Sequence, residues 1–304
     1  MNRTKFFTVF VSALFISANI VSAQTGGGSG LSFLKFGFGA RNAAMGDAGV
    51  ALASDVTALF YNPARLANNG KPDVIFTHNN WIQDVRSEMV GAKASFLGLP
   101  LAFGVNVTSI NDIEIRTKPG APDATFNANY FSGSVSTGFS LTSDIDIGAS
   151  VKYLYENIFV DEANGLGFDL GIFYRTPVNG LNISAVVRNL GSMNTLRNVS
   201  TKLPTEVRAG TSYEIEIPGS KISLLGGAEY LSYTRDNENH INLGGEATYN
   251  HIFSLRAGYM TNYQSKGFTA GMGLVWGNLN LDYAYLPFKL GLGNASMFSI
   301  QFKF

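Results

Sequence analysis

The sequence predicts an all-β fold, a transmembrane antiparallel β-barrel of about 14 strands with a short N-terminal plug segment. The clearest sign is the last strand, whose side chains alternate between an apolar and a mostly polar face. The apolar face carries Phe298, Ile300, Phe302 and Phe304. The other face carries Met297, Ser299, Gln301 and Lys303. Because successive side chains of a strand point to opposite sides, one face can meet lipid and the other a lumen. The same alternation recurs along the chain behind an export signal, and these features together predict the barrel.

The composition narrows the class of protein. Charged residues make up 14% of the 304 residues, against ~25% in an ordinary soluble domain. The mean hydropathy is only +0.09, and beyond the N-terminus no apolar run approaches the ~20 residues that a spanning helix needs. Basic and acidic residues number 22 each, so nothing predicts a nucleic-acid surface. The chain has no cysteine, which excludes disulfides and thiolate metal sites, and we predict no cofactor.

The first 23 residues have the pattern of a signal peptide. Arg3 and Lys5 give a positive start, an apolar stretch covers 6–20, and Val21-Ser22-Ala23 offers small residues for cleavage. We therefore predict a signal peptide over 1–23 and a mature chain that begins at Gln24. A membrane anchor is the alternative, but the apolar stretch is short and a cleavage site follows it.

Residues 24–71 differ in composition from the rest, and we predict a flexible lead and then a plug, with the barrel over 72–304. Residues 31–69 combine small side chains and helical turns and lack long alternation. Their large apolar side chains need a dry location, which a lumen would supply: Phe33, Phe36, Phe38, Leu52 and Phe60. Asn62 and Pro63 have the form of an N-cap and a first helical residue, and Gly70 would end that helix.

Beyond residue 72, strand-like segments follow one another between turn residues. We predict strands near 73–82, 87–97, 100–115, 127–142, 145–159, 164–176, 180–190, 205–217, 221–235, 240–250, 252–262, 267–276, 279–288 and 296–304. An even number agrees with closed single-chain bacterial barrels. A soluble β-sandwich also has alternating strands. Strand lengths of about ten residues, tyrosines at strand ends and the terminal aromatic strand favour the barrel.

Alternation places charges of both signs on the lumen side. The basic set is Lys93, Lys152, Arg175, Arg188, Arg208 and Arg256. The acidic set is Asp146, Asp169, Glu214, Glu229, Glu246 and Asp282. A pore selective for one ion sign carries rings of one charge, and unpaired buried charges are costly. We therefore predict a paired, partly filled lumen, with a solvated channel of mixed charge as the alternative.

No set of residues predicts catalysis. The histidines are His78, His240 and His251, and none has the spacing of a metal site. The glycines of 165–171 have the wrong spacing and place for a phosphate loop, and we interpret them as barrel glycines. The acidic turn 236–239 could hold calcium weakly, but it lacks EF-hand spacing, so a solvated turn is the preferred interpretation.

Motifs in the N-terminal segment and in later strands match those of one known family. The N-terminal pieces are Gly39-Ala40-Arg41, Met45-Gly46-Asp47-Ala48, residues 51–55 and Tyr61-Asn62-Pro63-Ala64. The later pieces are residues 167–171, 187–191, 256–259, 267–273 and 281–284. They resemble the PorV/PorQ family of outer-membrane proteins, which are similar to the FadL long-chain fatty-acid transporters, and Met45-Gly46-Asp47 is nearer to PorV. Ser54 and Arg65 depart from the family pattern, which commonly has an acid and a glycine there.

The resemblance implies a fourteen-stranded barrel with the N-terminal segment tucked inside it. It implies a plug motif formed by Arg41, Met45, Gly46, Asp47, Asp55, Asn62, Pro63 and Ala64. PorV-like members work with the type IX secretion system of the Bacteroidota and hand on substrate proteins. FadL-like members move hydrophobic molecules through the barrel. The terminal strand also resembles the strand that outer-membrane proteins present for assembly, which implies that role for Phe298, Ile300, Phe302 and Phe304.

Three functions are compatible with these sequence features. The leading prediction is a non-enzymatic barrel of the cell outer membrane that takes part in protein export by type IX secretion or as a translocon partner. The alternative is FadL-like transport of hydrophobic small molecules, and an outer-membrane lipase ranks third. The predicted partners are outer-membrane lipid and either a translocon with its substrates or a hydrophobic ligand, with no nucleic acid.

Overall fold

The computed structural model describes residues 29–67, 71–236 and 238–304. Fourteen of its strands close into one antiparallel barrel, and a few short helices lie inside. The predicted fold class is therefore confirmed. The predicted signal peptide over 1–23, the start of the lead and the helix stop at Gly70 lie outside the described residues.

Each barrel strand pairs with its neighbours in the chain, and the first pairs with the last. The strands are β1 Asp73–Asn80, β2 Val85–Phe96, β3 Leu99–Ile115, β4 Ala124–Ser140, β5 Ile145–Ile158, β6 Asp161–Arg175, β7 Leu181–Met193, β8 Thr195–Leu196, β9 Val199–Ser200, β10 Glu206–Glu216, β11 Ile222–Tyr233, β12 Glu238–Tyr249, β13 Phe253–Met260, β14 Phe268–Trp276, β15 Leu279–Pro287 and β16 Asn294–Lys303. The short strands β8 and β9 form a separate two-stranded ribbon between β7 and β10. All fourteen predicted strands correspond to barrel strands, and the ribbon was not predicted.

The two ends of the barrel differ. At one end, which we call the turn end, connections such as 97–98 and 277–278 are tight, and Asp73 of β1 pairs with Lys303 of β16. The opposite, loop end carries the longer connections 116–123, 194–205 and 261–267. Bacterial outer-membrane barrels have short periplasmic turns and longer extracellular loops. The loop end therefore faces outward from the cell.

The outer wall is apolar. Val151, Leu170, Leu255 and many similar side chains are exposed on it. In β16, Phe298, Ile300 and Phe302 are exposed, while Met297, Ser299 and Gln301 are buried. Phe304 follows the strand, is also exposed, and donates its backbone N–H to the carbonyl of Pro72 at 2.9 Å. The predicted outward and inward faces of this strand are the observed ones.

The segment 29–67 lies inside the barrel. It forms the 3-10 helices Ser32–Lys35 and Pro63–Ala67 and the α-helices Ala40–Ala44, Gly49–Leu52 and Ala58–Tyr61. The first of these packs beside loop-end residues, and the last packs against β4, β5 and β6 near the turn end. The segment therefore runs the length of the lumen before β1 begins. Among the described residues, no helix is both long and apolar enough to span a membrane.

Leu154 is the one apolar side chain on the otherwise polar inner face of β5, and the plug accounts for it. It is fully buried in a cluster with Leu31, Phe33 and Leu34 of the plug. Lumen positions need not be polar where the plug covers them. The exception in the alternation is therefore a contact site for the plug.

Candidate functional site: the plug and the lumen

Glycines on the inner wall form the seat of the plug. A Cβ atom at Gly258 of β13 would overlap the backbone nitrogen of Gly46, and one at Gly244 of β12 would overlap the backbone of Met45. Gly46 has φ +67, a conformation that suits glycine, and a Cβ there would lie 2.5 Å from the carbonyl oxygen of Leu243. The plug turn and the wall thus meet backbone to backbone.

The end of the plug is held in the same way. Cβ atoms at Gly138 and Gly148 would meet the backbone of Pro63. Asn62 donates to the hydroxyl oxygen of Ser184 at 2.6 Å, and its Oδ1 accepts from the N–H of Ala64 at 3.0 Å. The second bond is the one that an N-cap makes, although the helix that follows is a 3-10 helix.

Arg208 of β10 is the centre of the largest charge network in the lumen. Its side chain lies 2.9 Å from Oε1 of Glu229, 3.1 Å from Oε1 of Glu206 and 3.5 Å from Oδ2 of Asp47 in the plug. It is only 1% exposed. The hydroxyl of Tyr61 donates to Asp47. A single guanidinium thus joins two wall carboxylates to the plug.

The same network continues along the wall. Nη1 of Arg188 lies 2.6 Å from Glu206, and its Nε lies 4.0 Å from Asp169. The ammonium of Lys152 lies 2.7 Å from Asp169 and donates to Oδ1 of Asn189 at 2.9 Å. Charges predicted separately from alternation, together with Glu206, which was not predicted, therefore form one chain of alternating sign.

A second charge network ties the plug helix Ala40–Ala44 to the strands β12, β13 and β15. Arg41 donates two hydrogen bonds to Glu246, at 2.8 and 2.9 Å. Glu246 also accepts from Nε of Arg256 at 2.5 Å, and Nη1 of Arg256 donates to Asp282 at 2.7 Å. The bidentate geometry fixes the orientation of Arg41 as well as its position.

The remaining predicted charges differ in their surroundings. Arg175 pairs with Asp146 near the turn end, and Lys93 lies 3.9 Å from Asp73. Glu214 has the same inward parity as Arg208 on β10, but it is exposed and has no ion-pair partner among the described residues. It lies near the turn end of the barrel. Asp55 of the plug motif accepts from the backbone N–H of Thr57 at 2.9 Å.

The loop end of the plug is anchored at Asp236. Its Oδ2 accepts from Lys35 at 2.5 Å and from Ser29 at 2.8 Å. Burial acts to raise the pKa of Asp236, but these hydrogen bonds and the nearby ammonium outweigh it, so the pKa lies below its usual value. The preferred interpretation of 236–239 as a solvated turn is therefore wrong at Asp236. It is the anchor of the plug.

Aromatic side chains form an arc around the loop-end mouth, which we call the aromatic arc. It comprises Phe36, Trp81, Tyr233, His240, Tyr263 and Phe288. The rings of His240 and Tyr263 stack with centroids 3.6 Å apart, and those of Phe36 and Trp81 with centroids 4.8 Å apart. The ammonium of Lys266 lies 5.2 Å from the ring centre of Tyr263 and 5.4 Å from that of Trp81. This amphipathic mouth is the feature that sequence reasoning missed.

Neither a metal site nor a lipase site is formed by the described residues. They contain no group of three His, Asp or Glu side chains suited to a metal ion. Nδ1 of His240 bonds to the carbonyl of Thr261, and Nδ1 of His78 to Glu88. No hydrogen bond in the described part of the chain joins a serine to a histidine.

Comparison with known proteins adds a fold likeness. No family model matches the chain, and no curated protein does. The solved CymD monoaromatic hydrocarbon channel matches with TM-score 0.62 and 12% identity, over 88% of this chain and 98% of that one. The Pseudomonas putida toluene transporter TodX matches with TM-score 0.60 and 13% identity, over 87% and 96%. A Pseudomonas aeruginosa FadL homologue matches with TM-score 0.52 and 13% identity, over 86% and 96%.

At such low identities the likeness establishes the fold. The closed barrel and these matches define an outer-membrane β-barrel of FadL-like architecture, located in the cell outer membrane. Two of the matched structures are a monoaromatic hydrocarbon channel and a toluene transporter. Membership of the PorV/PorQ family stays a prediction.

Proposed function

We propose that this barrel admits small hydrophobic molecules across the outer membrane, as FadL-like proteins do. The observation that carries the proposal is the aromatic arc, which lines the outward-facing mouth directly above a packed plug. Aromatic rings bind apolar molecules without needing polar groups on them. The architecture that the chain has in common with a monoaromatic hydrocarbon channel and a toluene transporter supports this choice.

The lumen charges argue against a general diffusion pore. Arg41, Arg188, Arg208 and Arg256 are bound by carboxylates and packed against the plug. They line no open water path in which they could sort ions. A solute would have to enter at the mouth and move the plug, and that selects for molecules with affinity for the arc.

Transport assays on proteoliposomes test the proposal. Proteoliposomes should take up toluene faster than empty liposomes and should swell no faster than these in sucrose. Replacing Trp81 and Phe288 with Ser should slow toluene uptake several-fold. Uptake unchanged by that replacement, or swelling in sucrose, would contradict the proposal.

A second candidate keeps the leading sequence prediction, a PorV-like partner in type IX secretion. The motif Met45-Gly46-Asp47 favours it by resemblance. In the barrel these residues build the plug, and a filled lumen leaves no passage for a folded protein, so this role would use the outer wall or the loops. Isolation of the native protein under mild detergent, with a large translocon barrel bound or absent, decides between the two.

The proposed domain organisation accompanies both functions. A signal peptide over 1–23 would be removed, residues 24–71 would form the lead and plug, and 72–304 the barrel. The burial of the plug around Ala43, Val50 and Leu59 supports a boundary just before β1. Sequencing the N-terminus of the mature protein tests the cleavage site at Gln24.

A further inference from the structure

Two neighbouring side chains on the inner face of β12 have polar atoms without partners. His240 is 2% exposed and Asn242 is 0% exposed. Nε2 of His240 and both amide atoms of Asn242 have no hydrogen-bond partner among the described residues. A buried polar atom without a partner costs free energy, so such atoms are normally paired with protein, water or a ligand. Two such side chains, next to each other on the inner face of one strand, indicate a site where a polar ligand could supply the missing hydrogen bonds.

The hydrogen bond of His240 sets the chemistry of that guest. Its Nδ1 lies 3.2 Å from the carbonyl oxygen of Thr261, which can only accept. In the neutral ring Nδ1 therefore carries the proton and Nε2 is left as an acceptor. Nε2 lies 3.9 Å from Oε2 of Glu238, too far for a hydrogen bond, so a donor is needed to satisfy it, and a hydroxyl group is the simplest one.

Lys266 supplies a positive charge beside the rings of Tyr263 and Trp81. It is partly buried, and no carboxylate lies within 4.0 Å of its ammonium in the part of the chain that the structure describes. Burial lowers the pKa of Lys266, as expected for a cation without a bound anion. Its ammonium lies over the rings of Tyr263 and Trp81. A carboxylate would complete this site.

We propose that the aromatic arc binds a small aromatic acid that also carries a hydroxyl group. The carboxylate pairs with Lys266, the hydroxyl donates to Nε2 of His240, and the amide of Asn242 bonds to the same end of the molecule. Tyr263 lies against both His240 and Lys266, so the two polar groups neighbour the same ring. This inference rests on the proposed function and names its substrate class, which is more polar than a hydrocarbon.

Fluorescence of Trp81 provides the test. The chain has two tryptophans, and Trp276 is exposed at the turn end, so Trp276→Phe leaves Trp81 as the sole reporter beside the site. Four probes are titrated into the purified full-length protein: 4-hydroxybenzoate, benzoate, p-cresol and toluene. The first has both a carboxylate and a hydroxyl group, benzoate has only the carboxylate, p-cresol has only the hydroxyl, and toluene has neither.

The expected order places 4-hydroxybenzoate as the tightest ligand. Lys266→Met should weaken the two acids by about tenfold and leave p-cresol and toluene unchanged, because it removes one charge-assisted contact. His240→Phe keeps a ring against Tyr263 and should weaken 4-hydroxybenzoate and p-cresol only. Lys289→Met, at an exposed lysine of the same end, is the matched control and should change nothing.

Toluene binding reports whether each variant is folded. If toluene quenches Trp81 but 4-hydroxybenzoate binds no tighter, or if Lys266→Met and Lys289→Met behave alike, the substrate class is wrong and the proposed function stands. If none of the four probes binds and toluene is not taken up by proteoliposomes, both proposals fail. If His240→Phe also loses toluene binding, Asn242→Leu replaces it as the test of the β12 wall.

Discussion

At the scale of single residues, glycine decides where the plug can rest. The wall has glycines on both faces, but only those that face inward touch the plug. Gly258 points inward against Gly46, whereas on the neighbouring strand Gly245 points outward, and a Cβ there would come no nearer than 3.8 Å to its neighbours. The two positions lie in the same region of wall and differ only in the face they occupy.

We therefore expect Gly258→Val to dislodge the plug turn while the barrel still inserts. Overpacking of a close contact typically costs about 1–3 kcal/mol, and a backbone overlap lies at the upper end of that range. Single-channel conductance in planar bilayers should rise, and the unfolding temperature should fall. Gly245→Ala is the control and should resemble the parent protein. Equal effects of both changes would mean that the contact with Gly46 does not hold the plug.

Arg208 is the residue whose loss should matter most for stability. Its replacement by Gln leaves Glu206, Glu229 and Asp47 close together without their shared cation. Removing one partner of a buried ion pair costs about 3–5 kcal/mol. Resistance to heat in gel mobility assays should fall accordingly, whereas Arg197→Gln, at an exposed and loosely paired site, should have no measurable effect. A mild phenotype for Arg208→Gln would imply that water reaches this network.

At the scale of elements, the plug is held by its ends as well as by its middle. The anchor at Asp236 is its loop-end attachment, and Asn62 with Pro63 is its attachment near the turn end. The two attachments differ in kind, because one is ionic and the other uses neutral hydrogen bonds and close packing. Only the ionic one should respond to pH.

Trypsin cleavage after Lys35 measures how firmly Asp236 holds the loop end of the plug. Asp236→Asn should expose this site to cleavage in intact protein, whereas Asp123→Asn, in an exposed loop at the same end, should not. Because the pKa of Asp236 is lowered in the fold, its stabilising effect is complete above about pH 4, the ordinary range for an aspartate, and is lost as the pH falls below that. Cleavage by an acid-active protease near this site should rise steeply below that pH. Unchanged cleavage of Asp236→Asn would show that the plug is held elsewhere.

The last strand offers a second test at this scale. Replacing Phe302 and Phe304 with Ser places polar groups on the lipid face of β16, next to the seam with β1. We expect loss of membrane insertion and degradation in the periplasm. The pair Leu166→Ser with Phe168→Ser makes the same change on β6 and is the matched control. If both pairs insert equally well, β16 has no special part in assembly.

At the scale of the whole molecule, deleting residues 31–69 should open the barrel. The lumen charges would then be hydrated instead of buried, so the wall should still fold and insert. Conductance in planar bilayers should increase strongly, whereas deleting the exposed loop residues 117–122 should leave it unchanged. A plug deletion that conducts no better than the parent would mean that other residues close the lumen.

The wall could be predicted from the sequence, because strand periodicity is a local property. Most of the mouth could not, because it is formed by residues far apart in the chain. A strand has a fixed side-chain period, so the inward positions of Lys152, Arg188 and Asp282 follow from local sequence alone. Glu206 belongs to the same network and could have been found by parity with Arg208. The aromatic arc joins residues from connections far apart in the chain, among them Trp81, Tyr263 and Phe288. No local pattern reports such a meeting, and Asp236 was misjudged for the same reason.

The course of the plug through the lumen has a consequence for how the molecule is made. Ser29 is hydrogen-bonded to Asp236 at the loop end. The strand β1 begins a few residues after the last plug helix, at the turn end, and pairs with β16. A cylinder that had already closed would have to be threaded lengthwise by its own leading segment. Winding the sheet around that segment, with the β1–β16 seam fastened last, avoids the threading. The plug would then be enclosed as the wall closes around it, so its contacts with the inner wall would form before the last seam of the barrel does.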